Sequence, residues 1–535
     1  MKRLFSFIGL AALAGSMAMA QWSTDRDVAT LLIDSQYHLY SNEVCVGVDG
    51  TVWFFGDNPA STSMDSIHTT SYNMRLWAFT PEGEPKFGTE GILLSAFPNR
   101  SWTVCNYYTC ANRDSTITVV VHDCRNSSDN SMSYTAYRLR PDGTHVWDED
   151  GVPVDNAMYA STNCHMSICE LDDGSNVFAW EWINSSAAVS LQRITREGES
   201  LWDPEQTKLA GAYNEYPFVV DAGNNQFILV WARSSSEYLS AMKYNADGTQ
   251  VWSKRATIYD GGFGSIPIWT FVDVKPSGDG GVICSWYDAR DPSYQFEDVY
   301  MAYIKGDGKS GFTNADGGPD VKLSYTEWRH YAPDVYPDGM GTGFLAVYRQ
   351  TSGGQAYSNI AIQHVNLQGE LDWGEEGIDV IPMPTVESTA SYCSIRPDYQ
   401  GHFAVFWQTY HANADIECLM SIRNVSDGQP VNPDAEPIAI VEGGRQRSDL
   451  QSFVDTGNSR WYAYWNDGTS TSDEQFYCLQ PIAFDGSMPG VAAIEQVRRD
   501  ESQAGKARYQ FSADGRLLLI DPQSGRSYSL SGQLQ

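Results

Sequence analysis

Three short stretches of this sequence gather the residue types that recognise or cut polar ligands. Tyr287-Asp288-Ala289-Arg290-Asp291-Pro292 sets an arginine between two carboxylates beside a tyrosine. Glu327-Trp328-Arg329-His330-Tyr331 and Arg445-Gln446-Arg447-Ser448-Asp449 repeat the mixture, and Tyr410-His411 adds an aromatic pair. A guanidinium grips an acidic group through two parallel N–H donors, and an aromatic ring stacks on the flat face of a sugar. Tyr287, Arg290, Trp328, Arg329, His330, Arg445 and Arg447 are therefore the expected ligand-binding residues, for a sugar or a small acidic ligand. The competing reading is that these arginines and acids brace the loops against one another. A glycosidase would need two carboxylates facing each other across a sugar ring. Asp288, Asp291, Glu327 and Asp449 are candidates, Asp288 and Glu327 foremost, but 67 acidic residues supply such groups by number alone.

No motif strengthens the hydrolase reading. Gly-x-Ser-x-Gly, HExxH and P-loop patterns do not occur, and no Cys/His cluster has zinc spacing. The sialidase box, Ser-x-Asp-x-Gly-x-Thr-Trp, separates its Asp from its Gly, whereas here they are adjacent at Asp142-Gly143 and Asp247-Gly248. Calcium is a candidate ligand of the oxygen-rich stretch holding Asp307, Asn314, Asp316 and Asp320, but EF-hand spacing is missing and ordinary turn chemistry explains it. No catalytic residue, metal or cofactor is assigned.

The elements that must position these loops repeat. A turn followed by an aromatic recurs as Pro141-Asp142-Gly143 then Trp147, Arg196-Glu197-Gly198 then Trp202, and Ala246-Asp247-Gly248 then Trp252. Looser copies lead from Gly83 to Phe87, from Gly308 to Phe312 and from Gly369 to Trp373, and Gly428 and Gly486 mark two degenerate ones. The intervals between these glycines are 60, 55, 50, 60, 61, 59 and 58 residues. Before each turn stands a short aromatic and β-branched run, such as Phe227–Trp231, Phe403–Trp407 and Trp461–Trp465, which reads as a strand. Each unit resolves into four strands. Around Gly428 they fall near Tyr392–Arg396, at Phe403–Trp407, at Glu417–Asn424, and after the Asp-Gly turn as far as Ile440. A four-stranded unit of this length, repeated, predicts an all-β fold, a β-propeller of eight four-stranded blades over residues 21–492. Seven blades or two smaller rings are the alternatives. Gln21-Trp22 through Leu31-Leu32 resembles the outer-strand stretch Val251–Tyr259, and the last unit lacks such a stretch, so an N-terminal strand is expected to close the ring.

Composition sets the surroundings. With 35 Lys+Arg against 67 Asp+Glu the net charge is −32, and no basic run offsets it, which excludes nucleic acid as a partner. Charged residues make up only 19% beside 42% hydrophobic ones and 46 glycines, the balance of a folded, turn-rich β protein rather than an acidic disordered chain. Lys2-Arg3, the apolar run Leu4–Ala14 and Ala18-Met19-Ala20 form, in order, the three parts of an export signal over residues 1–20. No later run is long and apolar enough to span a bilayer, so membrane insertion is not expected. The expected location is outside the cytoplasm of a Gram-negative bacterium, at the outer surface, in the medium or in the periplasm. Export permits disulfides among the 10 cysteines. Cys110 with Cys124 and Cys393 with Cys418 are the favoured pairs, whereas Cys45, Cys284 and Cys478 sit in apolar strand patterns as packed thiols.

Three resemblances add to this. Gly369–Val380 (Gly-Glu-Leu-Asp-Trp-Gly-Glu-Glu-Gly-Ile-Asp-Val) resembles the repeat of secreted propeller proteins that travel as type IX secretion cargo. In the tail, Tyr528-Ser529-Leu530-Ser531-Gly532-Gln533 resembles the closing strand of the C-terminal sorting domain of such cargo, and Ala493–Val497 its lead-in. The resemblance covers about 45 residues and implies that residues 493–535 are a linker and a small sorting-type β appendage. The Gly-x-x-x-Trp spacing at Gly143, Gly248 and Gly369 also resembles quinone-cofactor propellers, where it is a packing motif, so no cofactor follows. Together these readings predict an exported, non-catalytic propeller that binds glycan or protein outside the cell. A glycan-cleaving hydrolase is the alternative and an envelope scaffold the third reading.

Overall fold

In the computed structural model the described residues are 22–23, 26, 30–33, 39 and 41–488, without the connections 60–71, 89–90, 96–103, 124–131, 156–164, 185, 204–213, 234–237, 260–272, 291–296, 315–316, 412–415, 442–445 and 469–475, and with the tail strands 508–511, 517–520 and 527–529. The chain is an eight-bladed β-propeller. Blade 7 shows the pattern: Ser388–Pro397, His402–His411, Ile416–Asn424 and Ile438–Ala439 pair in chain order, all antiparallel. Its neighbours repeat this, except that only three strands of blade 3 are described. Blade 8 consists of Arg447–Asp455, Arg460–Asp467 and Phe476–Ala483, and its outer strand is Thr30–Leu31 from the other end of the chain. The expected closure is thus formed, with Thr30 opposite Leu479 and Leu31 opposite Cys478. The first strands of neighbouring blades lie against one another around the whole ring, blade 8 against blade 1 included, and so line a central channel.

Between blades the sheets bury their aliphatic and aromatic faces in a continuous series of clusters. The repeated turns set the spacing. Every marker glycine has positive φ, which lets the chain reverse tightly after the third strand. Where the preceding residue is Asp it locks the turn, as where Asp142 Oδ1 accepts from the Thr144 amide and hydroxyl. The aromatic that follows reaches the next blade. Trp147 Nε1 donates to Arg196 O at 2.9 Å, Trp252 Nε1 to Gly306 O at 3.0 Å, and Trp22 Nε1 to Pro81 O at 2.6 Å. Trp22 therefore occupies in blade 8 the place that Trp147 and Trp252 occupy in blades 2 and 4.

Five residues before each of six marker glycines, a polar side chain braces the loop face below the sheet. Arg138 bonds Asp114 and Glu170, Arg193 bonds Asp173, Lys243 reaches Gly280 O, Tyr303 reaches Asp279, His364 sits between Asp338 and Asp372, and Arg423 reaches Val380 O.

The expected Cys393–Cys418 disulfide does not form, and both thiols are free. Cys393 lies on the first strand of blade 7 and Cys418 on the third, with the second strand between them. Two strand spacings separate the backbones by about 9–10 Å, beyond the reach of a disulfide. Cys284 and Cys478 are packed thiols as expected, and Cys45 and Cys110 are also free. Cys124, the export signal and the linker fall outside the described residues. In the tail Arg508–Phe511, Leu517–Ile520 and Ser527–Ser529 form an antiparallel three-stranded sheet.

Candidate functional site

Antiparallel order puts the second-to-third-strand connections and the links between blades on one face, the upper one. The first-to-second and third-to-outer turns lie on the lower face. On the upper face, strand pairing sets Tyr331, in the first strand of blade 6, opposite Arg349 in the second. The Arg349 guanidinium lies 5.3 Å from the Tyr331 ring centre, and Tyr287 of blade 5 meets the same ring edge-on at 5.2 Å. Tyr331 donates its hydroxyl to Glu297 at 2.8 Å, and Arg329 approaches both, at 3.5 Å from Glu297 and 3.4 Å from the Tyr331 oxygen. Arg349 forms no ion pair or hydrogen bond among the described residues, and its buried Nε–H lacks an acceptor. Among the described residues Arg349 differs both from Arg423 and Arg460, which donate to backbone carbonyls, and from the arginines held by a carboxylate. Arg138, Arg193, Arg290, Arg396 and Arg447 each have one.

The expected residues separate into two groups. Tyr287 and Arg329 belong to this cluster. Trp328 precedes it, half-buried and without a ring contact among the described residues, and Glu327 stands exposed. The others are engaged elsewhere. Asp288, only 1% exposed, accepts from Arg290 and from Trp286 Nε1 at 2.9 Å. Arg290 also pairs with Asp320 and packs over Tyr300 and over Tyr259 of blade 4, which makes it a clasp within blade 5 and against its neighbour. His330 is buried between Asp298 (3.0 Å) and Thr326 (2.8 Å). Arg447 is buried against Asp467 and Ile416 O. Asp288, Arg290, His330 and Arg447 therefore act as braces: a buried polar or charged group requires a partner, and each has one inside the fold. Asp291 and Arg445 lie outside the described residues. In the proposed calcium stretch Asn314 bonds Asp320 and the Gly318 amide while Asp307 bonds Lys309, and Asp316 lies outside the described residues. Among the described residues no three His, Cys, Asp or Glu side chains converge on a metal position.

Sequence reading missed Arg349, which looks like one polar residue at the end of the apolar run Phe344–Tyr348. It also missed the bulges that shape the rim. In blades 4, 6, 7 and 8 the first strand shifts register near its upper end, and a non-glycine residue there has positive φ: Tyr216 (49°), Ala332 (48°), Tyr392 (50°) and Asp449 (58°). Left-handed backbone at such residues is costly, and bulges re-aim side chains at the mouths of sites.

Within the channel, Lys275 of blade 5 joins Asp273 to Asp334 of blade 6, which pairs with Arg396 of blade 7 at 2.6 Å. Below these groups opens a groove of about 660 Å³ between blades 5 and 6, with Tyr399 of blade 7 at its edge. Nearer the upper end, a cavity of about 280 Å³ lies between Glu43, Tyr108, His165 and Phe218. Burial pushes the Glu43 carboxyl up to about 7 despite a bond from Thr109 at 3.1 Å, and pushes His165 down to about 4.

No protein-family model matches the chain, and no curated protein matches it in sequence. Solved structures do. The β-propeller domain of the Trilobed protease from Pyrococcus furiosus is 10% identical with a TM-score of 0.37, over 70% of this chain and 95% of that one. An α-L-arabinofuranosidase from Fusarium graminearum is 11% identical with a TM-score of 0.32, over 61% and 94%. An apocarotenoid oxygenase from Synechocystis is 12% identical with a TM-score of 0.34, over 75% and 92%. These are likenesses of fold.

Proposed function

We propose that the chain is an exported binding protein whose upper rim, at blades 5 and 6, holds a glycan bearing a carboxylate. The unpaired guanidinium of Arg349, framed by Tyr287 and Tyr331, carries this reading. A carboxylate would satisfy its idle donors in a bidentate pair, and the rings offer the apolar faces a sugar needs. Trp328 and Arg329 extend the surface. Asp288 is sealed by Arg290 and Trp286 and offers no carboxylate to a substrate, which favours binding over cleavage by that residue. The leader-like residues 1–20 and the sorting-type tail support export to the cell surface or medium.

The test is titration of the purified chain with a galacturonate trisaccharide. Wild type binds it, Arg349→Gln weakens binding about tenfold or more, and Arg349→Lys restores only part because a point charge cannot form the fork. Equal affinity in wild type and Arg349→Gln rejects the site. Release of shorter sugars during the titration rejects the non-catalytic reading.

A further inference from the structure

We infer that the groove on the lower face between blades 5 and 6 is a second binding site, for a neutral sugar. Its size suits one: about 660 Å³ lies within the range of small-ligand sites, and apolar surface from Pro337, Leu367 and the Tyr303 ring lines it. Charge sets the ligand class. Every described ionic group at the groove already has its counter-charge or a hydrogen-bonding partner. Lys275 is held by Asp273 and Asp334, Asp338 by His364, and Asp279 by the Tyr303 hydroxyl at 2.7 Å. A charged ligand would find no opposite charge to neutralise it, and burying it there would cost its hydration.

Two hydroxyls remain. Tyr336 and Tyr399 both line the groove, and neither phenol oxygen has a hydrogen-bond partner among the described residues. A phenol both donates and accepts, so the pair suits sugar hydroxyls, which do the same. The Tyr399 ring is set for contact from the other side. The residue has φ +59°, is 44% exposed, and packs so closely on Gly339 that a Cβ there would meet Tyr399 Cδ1 at 2.8 Å. A strained turn that presents an exposed aromatic beside a groove is the arrangement in which a sugar ring stacks its C–H face. Across the mouth, Gly341 leaves open space, with no atom within 4 Å of where its Cβ would stand.

This site is independent of the upper rim, and one experiment separates them. The full chain is titrated with neutral cellotriose, xylotriose and mannotriose at millimolar concentration, followed by ligand-observed NMR and calorimetry. At least one trisaccharide binds the wild type saturably. Tyr399→Ala abolishes that binding, and Tyr336→Phe and Tyr399→Phe, which keep the packing, each weaken it roughly fivefold through loss of one hydrogen bond. Arg349→Gln leaves it unchanged. No saturable binding of any of the three to wild type overturns the proposal. So does binding that survives both phenylalanine variants and Tyr399→Ala, or that disappears in Arg349→Gln.

Discussion

A Cβ placed on Gly308 would lie 2.8 Å from Trp252, at a residue whose φ is +82°. Gly308→Ala therefore meets two penalties, left-handed backbone and a clash with a buried ring, and should cost about 2–3 kcal/mol. Gly278→Ala, with φ +91° and nothing within 4 Å, meets only the first, about 1 kcal/mol. Thermal unfolding of both variants separates the two terms, and equal losses would show that the tryptophan moves aside freely. Glu43 gives a pH test. Its carboxyl titrates near 7 in the fold against 4.5 when free, so the folded state holds the extra proton. That contribution is complete below pH 4.5 and is lost as pH rises through 7. Glu43→Gln should thus be about 1–2 kcal/mol more stable than wild type at pH 8 and close to it at pH 4.5, in urea titrations at the two values. A gain of equal size at both pH values would mean that its charge is not the cause.

Single strands and turns carry the next layer, and much of it was readable. The glycine intervals gave the blade number, the apolar runs placed second strands, and Gln21-Trp22 through Leu31-Leu32 was visible as an out-of-place copy of Val251–Tyr259. The bulges were not readable, because Tyr216, Ala332 and Tyr392 have no preference for left-handed backbone and only Asp449 belongs to a type that tolerates it. Arg290 likewise looked like a ligand hook because Asp320, its second partner, stands 30 residues away in another strand. Braces between blades follow the same rule. Arg138 is fully buried, and its removal leaves Glu170 buried with no cation. Arg138→Met should lower stability by about 3–5 kcal/mol, measured by urea unfolding. A loss under 1 kcal/mol would mean that Glu170 takes up a proton or a new partner at little cost.

At the scale of the whole ring, the described channel charges join blades 5, 6 and 7, whereas the N-terminal segment is held to blade 8 by a two-residue ladder, by bonds from Arg26 to Gly486 O and from Gln480 to Ser23 O, and by the packing of Trp22, Leu32 and Leu39. Trp22→Ala removes that indole from its pocket beside Phe79 and Tyr462. It should lower the melting temperature by several degrees and raise the protease sensitivity of residues 22–33 before that of other blades. Uniform digestion would argue that the closure is no weaker than the rest. The shared blade has a further consequence. Because one sheet is assembled from both ends of the chain, the ring has no intrinsic first residue. Joining residues 22–33 after the third strand of blade 8 and opening the chain at another surface connection would give the same molecule from a circularly permuted sequence. In the natural order, by contrast, the last sheet cannot be completed until Phe476–Ala483 has been made, so the N-terminal segment must wait without its partner strand while all eight blades are synthesised.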